Sequence, residues 1–174
     1  MIGDLSTLSN LVWLDLVVVV RSVYRYTTAL SLTGQFVHRL LYLWPERIAA
    51  VSIGAPGGST LIASEPWPRG TSDTDSLFGT EVDPVRINKS FIQILIGSED
   101  DYHPVIDDGT PFHMSRYEIA VELHDNFTKH GIAHDWLVVE GGWHETDLYR
   151  PQVQDFVLGH LCRASNGIER NGSP

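Results

Sequence analysis

From residue 27 onward the apolar positions alternate between two periods. Thr28-Ala29-Leu30-Ser31-Leu32-Thr33 reads as a short strand. Gln35 to Trp44 is apolar on most faces, through Phe36, Val37, Leu40, Leu41, Leu43 and Trp44, which is the pattern of a buried helix. Pro45-Glu46-Arg47 ends it, and Ile48 to Ile53 is a second strand. A stretch rich in Gly, Pro, Ser and Asp follows from Gly54 to about Asp75 and reads as a long loop over the top of a sheet. Phe91 to Ile96 is a third strand, followed by a loop from Gly97 to His113.

Ser115-Arg116-Tyr117-Glu118 is a capping box, in which Ser115 accepts from a free helix N–H and Glu118 reaches back. The helix it opens carries Tyr117, Ala120, Val121, His124 and Phe127 on one face, and Gly131 stops it. Trp136 to Val139 is a fourth strand. Pro151 suits the first turn of a last helix that turns Val153, Phe156, Val157 and Leu161 inward. Before Thr27 the pattern offers one helix, roughly Leu8 to Tyr24, although the run Val17 to Val20 is β-branched and favours a strand.

Strands alternating with helices imply a three-layer αβα architecture with a mainly parallel sheet of about four strands. The expected organisation is an N-terminal helical segment over 1–26, the α/β unit over 27–162 and a flexible tail over 163–174.

Composition narrows the classes. The 174 residues are 43% hydrophobic and 20% charged, as in one globular domain. A net charge of −10 with no Lys/Arg cluster argues against nucleic acid and against anionic membrane surfaces. The apolar run Leu11 to Val20 is too short for a bilayer, which needs ~20 residues. Met1-Ile2-Gly3-Asp4 carries an acid where a signal peptide would be basic, so a cytoplasmic protein is expected. The single cysteine, Cys162, reads as a helix residue rather than a catalytic thiol.

In an open parallel sheet, ligand sites lie beyond the carboxyl ends of the strands. Two reactive residues follow strands there: Asp100 in Gly97-Ser98-Glu99-Asp100, and His144 in Glu140-Gly141-Gly142-Trp143-His144. Parallel strands bring both to the same sheet edge. A carboxylate there can fix the imidazole tautomer and stabilise an imidazolium. Taken singly, each has an ordinary reading, Asp100 as a turn or cap residue and His144 as a solvated loop residue. The order acid then histidine at successive strand ends favours the functional one.

The stretch from Gly34-Gln35-Phe36-Val37-His38-Arg39-Leu40 through Trp44-Pro45-Glu46-Arg47 to Val51-Ser52-Ile53-Gly54-Ala55-Pro56-Gly57 resembles the helix and strand after the nucleophile elbow of α/β hydrolases, notably esterase and polyhydroxybutyrate-depolymerase-like members. Gly97-Ser98-Glu99-Asp100 resembles the acid turn and Gly141-Gly142-Trp143-His144 the histidine turn, and the likeness covers about residues 25–162, the C-terminal half of such a domain. It implies a serine hydrolase of carboxylic esters with a triad of Ser31, Asp100 and His144, a small-molecule ester substrate, no cofactor and no metal. Asp101 is the substitute acid if the turn is shifted by one. The alternative is a catalytically inactive hydrolase-fold module.

The elbow departs from the family pattern. The glycines of G-x-S-x-G permit a strained strand-to-helix turn. An ungapped match puts Ser31 on the nucleophile, with Ala29 and Thr33 in place of glycines, and needs the polar stretch Tyr24 to Ala29 as the strand. A gapped match makes Leu30-Ser31-Leu32-Thr33-Gly34 the end of the strand and leaves the elbow missing after Gly34. The apolar pattern favours the gap. The family's preceding strands and one of its oxyanion donors have no counterpart, and the strand at 28–33 is expected to be an open edge prone to self-association.

Other clusters are weaker. His130 and His134 lie four apart, but Gly131 breaks the helix between them, which disfavours a metal site. His103, His113, Asp107 and Asp108 read as a solvated acidic loop, and Trp67 as a loop anchor rather than the wall of an acyl pocket.

Overall fold

The computed structural model describes residues 16–21, 24–104 and 112–170, with side chains over 34–104, 112–145 and 147–160. Five strands form one sheet in sequence order: β1 (Leu16–Arg21), β2 (Tyr24–Ser31), β3 (Ala50–Pro56), β4 (Phe91–Gly97) and β5 (Asp135–Val139). β2 to β5 are mutually parallel, and β1 pairs antiparallel with β2. The helices are α1 (Leu32–Leu43), α2 (Thr74–Phe78), α3 (Pro84–Ile87), α4 (Arg116–Lys129) and α5 (Thr146–Arg170). The architecture is a partial three-layer α/β fold.

The core follows the strand pleat. Val51 and Ile53 of β3 and Ile92 and Ile94 of β4 face Val37 and Leu41 of α1 and Leu123 and Phe127 of α4. The opposite face is thinner. Ala50 meets Phe156 and Val157 of α5, Phe91 stacks on His160, and the buried Ser52 hydroxyl donates to Gln93 Oε1 at 2.7 Å. β3 is buried along its whole length, as a parallel strand covered on both faces should be.

Several expectations are corrected at the ends of the chain. Leu16–Arg21 is a strand, not part of a helix over 8–24, because four consecutive valines crowd a helical turn and fit a pleat. β2 runs unbroken through residues 26 and 27. β1 pairs with β2 from Tyr24 to Ala29, so Thr28 and Ala29 are not an open edge, and among the described residues β1 takes the outer place. Beyond Cys162 the backbone stays helical to Arg170, and Pro151 falls inside α5 rather than at its start. Residues 1–15 and 171–174 lie outside the described residues.

The long loop after β3 is held by α1. Buried Thr60 presents its N–H to His38 Nε2 at 3.0 Å and its carbonyl to the Tyr42 hydroxyl at 2.8 Å. Its own hydroxyl donates to the Pro68 carbonyl and accepts from Arg39 Nε. Burial drives His38 down to about 3, so the ring is neutral, with Nδ1 donating to the Gly34 carbonyl. Asn126 of α4 accepts from the Ile62 N–H at 2.9 Å. Trp67 packs against the core, edge-on to Phe78 and under the Arg39 guanidinium, as a loop anchor would.

Candidate active site

The turns after β4 and β5 are stitched directly to one another. Ser98 N–H donates to the Val139 carbonyl and Glu99 N–H to the Gly142 carbonyl, both at 3.0 Å, and Gly141 N–H donates to Ser98 Oγ at 2.9 Å. The backbones approach so closely that a Cβ on Gly97 would stand 2.1 Å from the Gly142 oxygen. Gly141 takes a φ of 65°, the left-handed region where glycine is unstrained. Sequence and geometry agree here, since glycines occur where the chain must touch itself.

This stitching sets Asp100 against His144. Asp100 Oδ2 accepts from His144 Nδ1 at 2.8 Å; the carboxylate is fully buried, while the imidazole is 34% exposed. With Nδ1 donating, Nε2 is left to exchange a proton with a reacting group. Asp101 is exposed and is not the partner of His144. α4 also supports the acid turn, as Tyr117 N–H donates to the Asp100 carbonyl and Arg116 N–H to the Tyr102 carbonyl. Both hydrogen bonds of the Ser115–Glu118 capping box are present.

Arg116 is a site residue that the sequence reading passed over. It is buried, its Nη1 donates to the Ala55 carbonyl at 3.2 Å, and its guanidinium stands 5.3 Å over the Tyr102 ring. Burial lowers its pKa, while Asp100 and the Tyr102 and Tyr149 hydroxyls pull the other way. Asp100 Oδ1 and Arg116 Nε are buried without a hydrogen-bond partner among the described residues. A signal existed: a cation in the first turn of a helix opposes the helix dipole, so Arg116 needs another reason to be there. Tyr149 of α5 was also missed. Burial, then the charge of Asp100, push its phenol up to about 12, and it donates to the Trp143 carbonyl at 2.6 Å.

The third expected residue closes β2. Ser31 is the last strand residue, and α1 begins at Leu32. The gapped reading is therefore corrected: no strand runs on to Gly34, and Leu32-Thr33-Gly34 form the first turn of the helix. Ser31 sits at a strand-to-helix junction on the carboxyl edge of a parallel strand. The ladder is irregular there, with Leu30 opposite Gly54 and Ser31 opposite Pro56, which leaves Ala55 as the extra residue of a bulge. Ala55 has a φ of 39°, uncommon for a residue with a Cβ, and its carbonyl is the one that Arg116 grips. The side chain of Ser31 lies outside the described residues.

A cleft of about 540 Å³ opens over the pair, with exposed Tyr102 and Trp143 as aromatic walls and Glu99, Asp101 and Glu145 as carboxylates beside them. Trp67 is not among its lining residues. His103 Nδ1 contacts the Phe112 carbonyl, and Asp107 and Asp108 lie outside the described residues. No group of three potential metal ligands occurs among the described residues. Nor is any described helix long and apolar enough to cross a membrane.

A parallel sheet with an acid turn and a histidine turn at successive strand ends defines an α/β-hydrolase-like fold, and solved structures bear this out. Poly(aspartic acid) hydrolase-1 from Sphingomonas sp. KT-1 superposes with a TM-score of 0.57 at 17% identity, over 73% of this chain and 52% of that one. SOBER1 of Arabidopsis thaliana superposes with a TM-score of 0.52 at 15% identity, over 78% of this chain and 52% of that one. The chain thus spans about half the length of these neighbours. No family model matches the chain, and no curated protein does. The likeness is one of fold.

Proposed function

We propose that this chain carries a serine-hydrolase site for carboxylic esters, with Ser31 as nucleophile, His144 as general base and Asp100 as the group that orients it. The observation that carries the reading is the 2.8 Å contact from His144 Nδ1 to the buried Asp100 carboxylate, made at the sheet edge where β2 ends in Ser31. His144 Nε2 takes the Ser31 proton as Oγ attacks the ester carbonyl, then returns it to the departing alcohol. Water attacks the acyl-serine by the same route. The Leu32 N–H, first in α1, is the candidate donor to the oxyanion. The hydrolase named among the structural neighbours supports the class of reaction.

One feature favours the rival reading, a hydrolase-fold module without turnover: Ala29 and Thr33 stand where an elbow wants glycines. Turnover of short-chain nitrophenyl esters separates the two. The hydrolase reading expects hydrolysis that falls roughly 10²–10⁴-fold in His144→Ala. Hydrolysis equal in wild type and His144→Ala, or no hydrolysis above buffer, would leave the rival standing.

A further inference from the structure

Away from the cleft, two histidines meet between α4 and the chain entering β5. His124 Nδ1 and His134 Nε2 lie 2.8 Å apart. His134 Nδ1 donates to the Ile132 carbonyl at 2.8 Å, so its Nε2 presents a lone pair and the proton between the rings belongs to His124 Nδ1. Aromatic packing holds both rings. His124 stacks on Trp136 with centroids 4.7 Å apart, and His134 stands edge-on to Phe127 at 5.5 Å. Both histidines are half-buried. Burial lowers the pKa of His134 from its ordinary value, against the pull of the Ile132 carbonyl.

We propose that the His124–His134 pair binds one divalent first-row metal ion, preferring Cu(II) and Ni(II), in place of the proton the two rings share. A ligating histidine is normally fixed by its other ring N–H on a carbonyl or carboxylate, as His134 is fixed on Ile132. Two nitrogens each ~2.0–2.1 Å from one ion stand about 2.9 Å apart at a right angle and about 3.3 Å apart at a tetrahedral one. The observed 2.8 Å is a hydrogen-bond distance, so the two nitrogens need move apart only slightly to share one ion, and the preference for Cu(II) and Ni(II) follows from the affinity order of first-row ions for nitrogen ligands.

Binding needs a tautomer change and a small turn of both rings within their aromatic packing. The His124 proton passes from Nδ1 to Nε2, both rings turn their lone pairs onto the ion, and no net proton or electron is released. Water completes the coordination, since no third ligand stands with the pair among the described residues. The site differs from the one weighed at His130 and His134, because His130 caps α4 and the partner of His134 is His124.

The test is titration of the full chain with CuCl2, NiCl2 and ZnCl2, read by tryptophan fluorescence and calorimetry. A bound Cu(II) beside His124 quenches Trp136, so the expected result is saturable one-to-one quenching below millimolar metal. Zn(II) should bind at least tenfold more weakly than Cu(II). His124→Gln and His134→Asn should each weaken Cu(II) at least tenfold, His144→Ala should not, and Trp136→Phe should remove most of the quenching. Spectra of ¹⁵N-labelled histidines in the unmodified chain give a reading independent of how the variants fold, with broadening at His124 and His134 first. Cu(II) affinity unchanged in both histidine variants, broadening first at other histidines, or no saturable binding below millimolar would overturn the proposal.

Discussion

The turns after β4 and β5 and the junction after β2 reach the same sheet edge by different means. The first pair is locked by backbone, with three hydrogen bonds between the turns and glycines at 97 and 142 where a Cβ would collide with main chain. The junction has Ala29 and Thr33 at the positions where an elbow calls for glycine, and beside it Ala55, the bulged residue of β3 whose carbonyl Arg116 holds, takes a positive φ. An acid–base pair demands fixed backbone on both sides of one hydrogen bond. A nucleophile at a strand end depends instead on how closely helix and strand approach, and at this junction the neighbouring strand is bulged at Ala55.

The largest expected effect breaks the locked half chemically. Asp100→Asn should lower ester turnover by roughly 10⁴-fold by favouring the wrong imidazole tautomer, checked by steady-state kinetics on folded protein. Breaking the same half by shape comes next. Gly97→Ala should destabilise the fold by about 3 kcal/mol in denaturant titrations, because the atoms it meets are backbone and cannot swing away.

A smaller effect concerns α1, which follows the junction. His38 is neutral when folded, with its pKa depressed from 6.5 to about 3, so the unfolded chain binds one more proton between those values. Its contribution to stability is complete above pH 6.5 and is lost as pH falls toward 3, by about 1.4 kcal/mol per pH unit. His38→Gln should flatten the pH dependence of unfolding by that slope. The smallest effect sharpens the junction itself: Thr33→Gly should raise turnover a few-fold by easing the approach of α1, while weakening the helix by about 1 kcal/mol.

The locked half was legible in the sequence and the junction was not, for physical reasons. β3 and β4 are near-continuous apolar runs bounded by turn residues, and the glycines before Asp100 and His144 mark close approaches. β2 reads Tyr-Arg-Tyr-Thr-Thr-Ala-Leu-Ser, too polar to be taken for a parallel strand, because it lies next to the outer strand rather than at the sheet centre. That polarity drew the strand two residues toward Thr33 and hid the junction at Ser31. The valines of β1 were visible, but the apolar run around them has helical length. Arg116 could not be placed because its partners, Ala55, Tyr102 and Asp100, converge only through the tertiary fold.

The central claim is that the junction serine and the locked pair act together. Labelling of the folded chain with a fluorophosphonate probe, followed by peptide mass spectrometry, tests it most directly. The account predicts one modified residue, Ser31, and loss of the modification in His144→Ala. An unlabelled chain, a label on another serine, or labelling of Ser31 that persists in His144→Ala would contradict it.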